Sequence, residues 1–348
     1  VNIPLQNLRD AFRTHHIDSF LVTKDENISY LTEYASQESW LLVCKKKAFF
    51  LTDGRYSLHA KGFLKEVEVV ECKKSIFDEL AKLIIGQKAR SLGFDDRYIT
   101  VLSFQRLKQA LKGKIRFVGS SGIVEETRSI KRSDELAKIK KALDFHRQCL
   151  IYLKQIIRVG RSERQVFERL ERYVRDHHQQ FSFPAIIASG PNASFPHARI
   201  TERKFRRGDP VLVDMGIDIE GYKSDLTRMF FLGKISHHMR EVYDAVAQAQ
   251  RLAIAKIKPG VLAKDIDAQA RNFLKQKKLD VFFNHSLGHG VGLEIHEAPG
   301  ISPKSLVTIK EGMVFTVEPG VYIPDQFGIR IEDMVLVTSK GHKVLSQF

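Results

Sequence analysis

The chain has 348 residues, of which 43% are hydrophobic, and a formal net charge of +15. That length suggests about two domains, and the mixed composition is that of a globular protein able to bury a sizeable core. It excludes a protein built on membrane helices, because no stretch approaches the roughly 18 consecutive apolar residues that such a helix needs.

Residues 1 to 25 carry Arg9, Asp10, Arg13, His15 and His16 and lack the uninterrupted apolar core of a signal peptide, so a cytoplasmic location and no membrane partner are expected. The basic residues, as at Lys45 to Lys47 and Lys275 to Lys278, are spread along the chain and mixed with acids on predicted helix faces. A solvated basic surface is therefore expected, with no nucleic-acid partner. Cys44, Cys72 and Cys149 are far apart and form no CxxC pair, which argues against a disulfide framework or a thiolate metal site.

In chain order, short apolar segments (FLVTKD, WLLVC, AFFLTD) alternate up to about Val124 with helical patterns (SIFDELAKLII, SFQRLKQALKG). This is the punctuation of a small α/β domain. A long amphipathic helix is predicted from Ser133, read as its N-cap, toward a stop at Gly160. Further helices are predicted around Glu163 to His178, Glu241 to Ile257 and Ala263 to Gln276, interleaved with strands near residues 211, 227, 314 and 334. The expected class is α+β, with a small N-terminal α/β domain over 1–125 and a catalytic-sized domain over 126–348.

Within the second domain, PVLVDMGIDIEGYKSDLTRMFFL reads as a hairpin turning at Glu220 and Gly221. That register sets Asp214 opposite Thr227, with Asp225 two residues along on the same face. Carboxylates inside apolar strands need partners. Glu318 in MVFTVEPGVYI and Glu332 in GIRIEDMVLVT repeat the anomaly, and His285, His289 and His296 stand among glycines in NHSLGHGVGLEIHE. Any one of these residues is most simply an exposed or hydrogen-bonded side chain. Two Asp, two Glu and one His together form an oxygen-dominated set suited to hard or borderline divalent ions. Two such ions and a bridging hydroxide nearly neutralise four carboxylates that would otherwise raise one another's pKa values. HEAPG at His296 is not HExxH, and GHGVG lacks dinucleotide-loop spacing and a following helix.

DMGIDIEGYKSDLTR, SLGHGVGLEIHE, TVEPGVYI and IRIEDMVLV, in this order, resemble the metallopeptidases of the pita-bread fold, in particular aminopeptidase P and prolidase. NISYLTEY and LTDGRYSLHA are similar to the creatinase-like N-terminal domain of that group, TRSIKRSDELAKIKKA to its junction helix, and FPAIIASGPNASFPHARIT to its substrate-side histidine segment. The resemblance implies Asp214 and Asp225 on one metal, with Asp225 reaching the second, His289 and Glu318 completing the second, and Glu332 bridging both. It implies two divalent ions per chain and proline-containing peptide substrates; one imidazole and four carboxylates favour manganese, ahead of cobalt, iron and zinc, and a homodimer is expected. His197, His285 and His296 match histidines that bind the peptide and the developing oxyanion. Arg330 and Tyr322 match supporting positions, and Arg330 shares a strand face with Glu332 by its two-residue spacing.

The implied chemistry is hydrolysis by a metal-activated water, with Glu318 moving a proton to the leaving amine. Two departures stand out. Gly300 follows HEAP where prolidases often carry an arginine for a dipeptide's carboxylate, and Glu33 in YLTEY occupies a position where glycine is common. The expectation is an Xaa-Pro aminopeptidase, with an Xaa-Pro dipeptidase as the alternative and a metal-free peptide-binding module on the same fold as a distant third.

Overall fold

A computed structural model describes residues 2–347. The chain divides into two compact units, with the division after Arg128. A helix, Ile123–Ser129, runs across the boundary expected between residues 125 and 126.

The first unit is a six-stranded mixed sheet of β1 (Ser19–Val22), β2 (Trp40–Cys44), β3 (Ala48–Thr52), β4 (Glu68–Glu71), β5 (Ser91–Phe94) and β6 (Arg116–Gly119), in the order β4-β3-β2-β1-β5-β6. β1 to β3 pair antiparallel, while β4, β5 and β6 join in parallel. The two expected helices, Ile76–Gly86 and Val101–Leu111, begin at Ser75 and Thr100, whose hydroxyls accept from the Asp78 and Ser103 amides. Three more helices, Ile3–Thr14, Asp25–Thr32 and Ser57–Phe63, were not predicted; the last two are short, and the first buries Leu5, Leu8 and Phe12 at helical spacing. Glu33 ends the second of these at φ 57°, a left-handed backbone that glycine adopts without strain.

The second unit is built on antiparallel sheets. Its strands are β7 (Gln180–Phe181), β8 (Ile186–Ser189), β9 (Pro210–Met215), β10 (Ile217–Ile219), β11 (Tyr222–Lys223), β12 (Leu226–Phe231), β13 (Gly288–Gly290), β14 (Glu297–Ile301), β15 (Val314–Val317), β16 (Gly320–Ile323), β17 (Phe327–Arg330), β18 (Asp333–Thr338) and β19 (Gly341–Val344). β12-β9-β8 and β14-β13-β15-β18-β19 are the two principal sheets, accompanied by β11-β10-β7 and the pair β16-β17. The predicted hairpin forms in the expected register, Asp214 opposite Thr227 and Ile219 opposite Tyr222, around Glu220 and Gly221 at φ 53° and 83°. It is interrupted at Gly216, where a Cβ would lie 2.0 Å from the Ser182 hydroxyl.

Helices Ser133–Ile156 and Glu163–Asp176 bury Leu143, Leu153, Val166 and Leu170 with Val211, Val213 and Met215 from one face of β9. Helices His237–Lys256 and Ala263–Gln276 do the same with Phe315, Val317 and Val335 of β15 and β18. Ser133 is the first helical residue and not the cap: the Glu135 carboxylate instead accepts from the Arg132 amide at 2.9 Å. The third helix begins at His237, four residues earlier than predicted, because the Ser236 hydroxyl caps it. Among the described residues no helix is long and apolar enough to cross a membrane.

Candidate metal centre

Alternation along β9 divides its side chains between two environments. Val211, Val213 and Met215 face the helices, whereas Leu212 packs with Ala188, Ala193, Ala198 and Tyr322, and Asp214 emerges beside it. Across the hairpin Thr227 sits opposite Asp214, and Asp225 lies two residues before it. β13 brings His289 to the same place, β15 ends just before Glu318, and Glu332 lies in the step between β17 and β18. Asp214, Asp225, His289, Glu318 and Glu332 all line one cavity of about 650 Å³.

The geometry within it is close. One ligand atom each from Asp225, His289 and Glu332 lies within 4.8 Å of the others. His289 Nε2 is 3.2 Å from Glu318 Oε1 and 3.6 Å from Asp225 Oδ2, while its Nδ1 donates to the Gly290 carbonyl. Arg330 donates to Asp214 Oδ2 at 2.5 Å, to the Tyr322 hydroxyl at 2.6 Å, to the Pro196 carbonyl and to Thr227. Asp214 Oδ1, in contrast, is buried without a hydrogen-bond partner.

These charges are not balanced by protein groups. Burial, then repulsion from Glu332, Asp214 and Glu318, pushes the Asp225 carboxyl well above its ordinary range. Glu332 is pushed well up by burial and by Glu318 and Asp214, and Asp214 is raised mainly by burial despite Arg330. Glu318 alone is lowered: burial opposes ionisation, but the hydrogen bond and charge of His289 outweigh it. His289 is correspondingly raised by Glu318 against the effect of burial. Four converging carboxylates, an orphaned oxygen and a single imidazole with its Nε2 turned inward form a donor set that divalent cations would satisfy.

His197, His285 and His296 line the same cavity. The His296 ring stands edge-on to His289 with centroids 4.2 Å apart, and its pKa is lowered by burial and by His289. His285 is fully engaged, with Nδ1 on the Ser286 carbonyl and Nε2 accepting from Tyr322. The other two histidines have no hydrogen-bond partner among the described residues. The Tyr322 hydroxyl, pushed up to about 12 by burial, thus relays Arg330 to His285.

Two threonines escaped the reading of the sequence. Thr227 Oγ1 accepts from Arg330 and donates to Glu332 Oε2 at 2.8 Å, and Thr316 Oγ1 accepts from the His289 amide and donates to Glu318. The hairpin register was the available signal for Thr227, since it stands opposite Asp214. For Thr316 the signal was its polarity at a fully buried position in an apolar strand.

Comparison with known proteins agrees with this architecture. The profile for Metallopeptidase family M24 matches residues 137–339, and that for the creatinase/prolidase N-terminal domain matches residues 4–130. An Xaa-Pro dipeptidase of Pyrococcus horikoshii is 31% identical over 100% of this chain and 97% of its own length. The structure of an Xaa-Pro dipeptidase from Bacillus anthracis superposes with a TM-score of 0.94 at 36% identity, covering 99% of this chain and 97% of that one. An X-Pro aminopeptidase from Thermotoga maritima does so with a TM-score of 0.88 at 32% identity, over 97% of this chain and 98% of that one.

Proposed function

The chain belongs to metallopeptidase family M24 and is a hydrolase, and from that premise we propose that it cleaves the Xaa-Pro bond of dipeptides with two divalent ions, manganese first among them. The observation that carries the metal reading is the convergence of four carboxylates, two buried and two half-buried, one with an unpartnered oxygen, on a single imidazole. Asp214 and Asp225 would hold one ion, His289 and Glu318 the other, with Asp225 and Glu332 shared. Two ions held there supply a water of lowered pKa and polarisation of the scissile carbonyl.

This chain's own residues do the rest. Glu318 takes a proton from the water whose oxygen bonds to the carbonyl carbon and delivers it to the proline nitrogen as the C–N bond breaks. His296 donates to the developing oxyanion, and His197 contacts the peptide. Arg330 orients Asp214 directly and Glu332 through Thr227. His285, with both nitrogens occupied, holds Tyr322 and shapes the wall.

The relatives named as Xaa-Pro dipeptidases favour dipeptide action over the aminopeptidase expected from the sequence. One observation supports the second reading. A Cβ at Gly300 on the cavity wall would meet nothing within 4 Å, and Arg330, the one arginine among the described residues lining the cavity, is committed to Asp214, Tyr322, Thr227 and Pro196. Comparing kcat/KM for Xaa-Pro and Xaa-Pro-Xaa at equal metal loading decides between them. Dipeptide action predicts a strong preference for Xaa-Pro, and equal or better cleavage of the tripeptide overturns it. In that case Gly300→Arg should shift preference toward dipeptides, since a guanidinium can take a free carboxylate bidentately.

A further inference from the structure

The segment between Ser189 and Thr201 carries Pro196, His197 and Ala198 to the cavity, and it departs from β8 through a short 3-10 turn, Gly190–Ser194. Its tip is held by Arg330, which donates to the Pro196 carbonyl at 3.1 Å. The turn lies so close on β17 that a Cβ on Gly328 would meet the Ala193 carbonyl at 1.9 Å. The neck of the loop closes on one side chain from elsewhere in the unit. Glu163, the first residue of the helix Glu163–Asp176, is fully buried. Its Oε1 accepts from the Ser189 amide at 2.7 Å and hydroxyl at 2.8 Å, and its Oε2 from Asn192 at 2.8 Å, the Thr201 amide at 3.0 Å and hydroxyl at 2.6 Å. Asn192 also donates to the Arg199 carbonyl, which closes the loop internally.

The Glu163 carboxylate is acceptor-only and its two oxygens take five donors here, whereas a glutamine would offer one oxygen and turn its own N–H groups toward the others. Both ends of the loop, Ser189 and Thr201, therefore have their places fixed relative to each other by the same group. We propose that Glu163 is a positioning residue for the reaction, setting through this clamp where His197 stands against the substrate. The proposal rests on the reading of His197 as a peptide-contacting residue. Misplacing a contacting group by about 1 Å can cost a hundredfold in rate, so the clamp has a kinetic consequence beyond stability.

The test is a double-mutant cycle on manganese-loaded full-length protein: kcat, KM and bound metal for wild type, Glu163→Gln, His197→Ala and the pair. The clamp predicts that Glu163→Gln lowers kcat/KM about tenfold in the wild-type background but less than about twofold beside His197→Ala, with metal content unchanged. Thr201→Val, which removes one donor and leaves the carboxylate, should show the same pattern at smaller amplitude, and Thr201→Ser should restore activity. It keeps the measurement decisive if Glu163→Gln does not fold. Equal losses in both backgrounds overturn the clamp. Full activity in His197→Ala overturns the reading of His197 on which it rests.

Discussion

At the scale of single residues, the site separates groups that would hold metal from groups that would meet the substrate. Asp225→Asn and Glu332→Gln each remove an anion proposed as shared, and should abolish turnover together with metal content while circular dichroism stays native. His296→Ala should retain metal and lose about 3 kcal/mol of transition-state stabilisation, as for an oxyanion donor. Loss of metal in the His296 variant would make it a ligand and the assignment wrong. A different residue reports on stability. His146 is fully buried, its Nδ1 is 3.1 Å from the Ser224 hydroxyl, its Nε2 has no partner, and burial, aided by Arg228, depresses its pKa to about 3. Because the folded-state value lies below the unfolded one, the unfolded chain binds the proton first. Stability is therefore lost as pH falls from about 6.5 toward 3. Between pH 7 and 4 the melting temperature of wild type should fall more steeply than that of His146→Leu, and parallel curves would exclude His146 as a source of acid sensitivity.

At the scale of elements, the positions of the residues proposed to hold metal depend on strands that approach more closely than side chains permit. A Cβ on Gly288 would lie 1.9 Å from the Thr316 carbonyl, so the glycine is what allows β13 to sit against β15 and present His289 beside Glu318. Gly288→Ala should cost about 1–3 kcal/mol of stability by overpacking and reduce metal affinity as well. Isothermal titration with manganese beside a denaturation curve checks both, and unchanged affinity would mean that the strand adjusts without moving His289. The alternation and turn chemistry of 210–232 made the hairpin, its register and the shared face of Asp214 and Asp225 legible in advance, because each follows from local period and from Glu220 and Gly221. The helix Ala263–Gln276 was equally legible. What escaped prediction depends on partners far away in sequence: Thr227 acts through Glu332 and Arg330, and Glu163 through Ser189 and Thr201. Helix starts shifted where a short-range cap, Ser236 or Glu135, competed with the apolar period.

At the scale of the whole molecule, the two units carry different burdens. The first is a mixed sheet with an apolar core, and every residue proposed to hold metal or meet the peptide belongs to the second. The net charge of +15 does not describe this site, whose carboxylates are drawn together from three separate stretches of chain against the electrostatic trend of the surface. Burying them without cations would leave their mutual repulsion uncompensated. Metal should accordingly act as a structural as well as a chemical component. Titrating chelator-treated protein with manganese while following bound metal and Xaa-Pro hydrolysis together tests whether the cluster works through two cations. Activity should be absent at the start, rise with binding and saturate at two ions per chain. Full turnover by protein verified to be free of metal would contradict it.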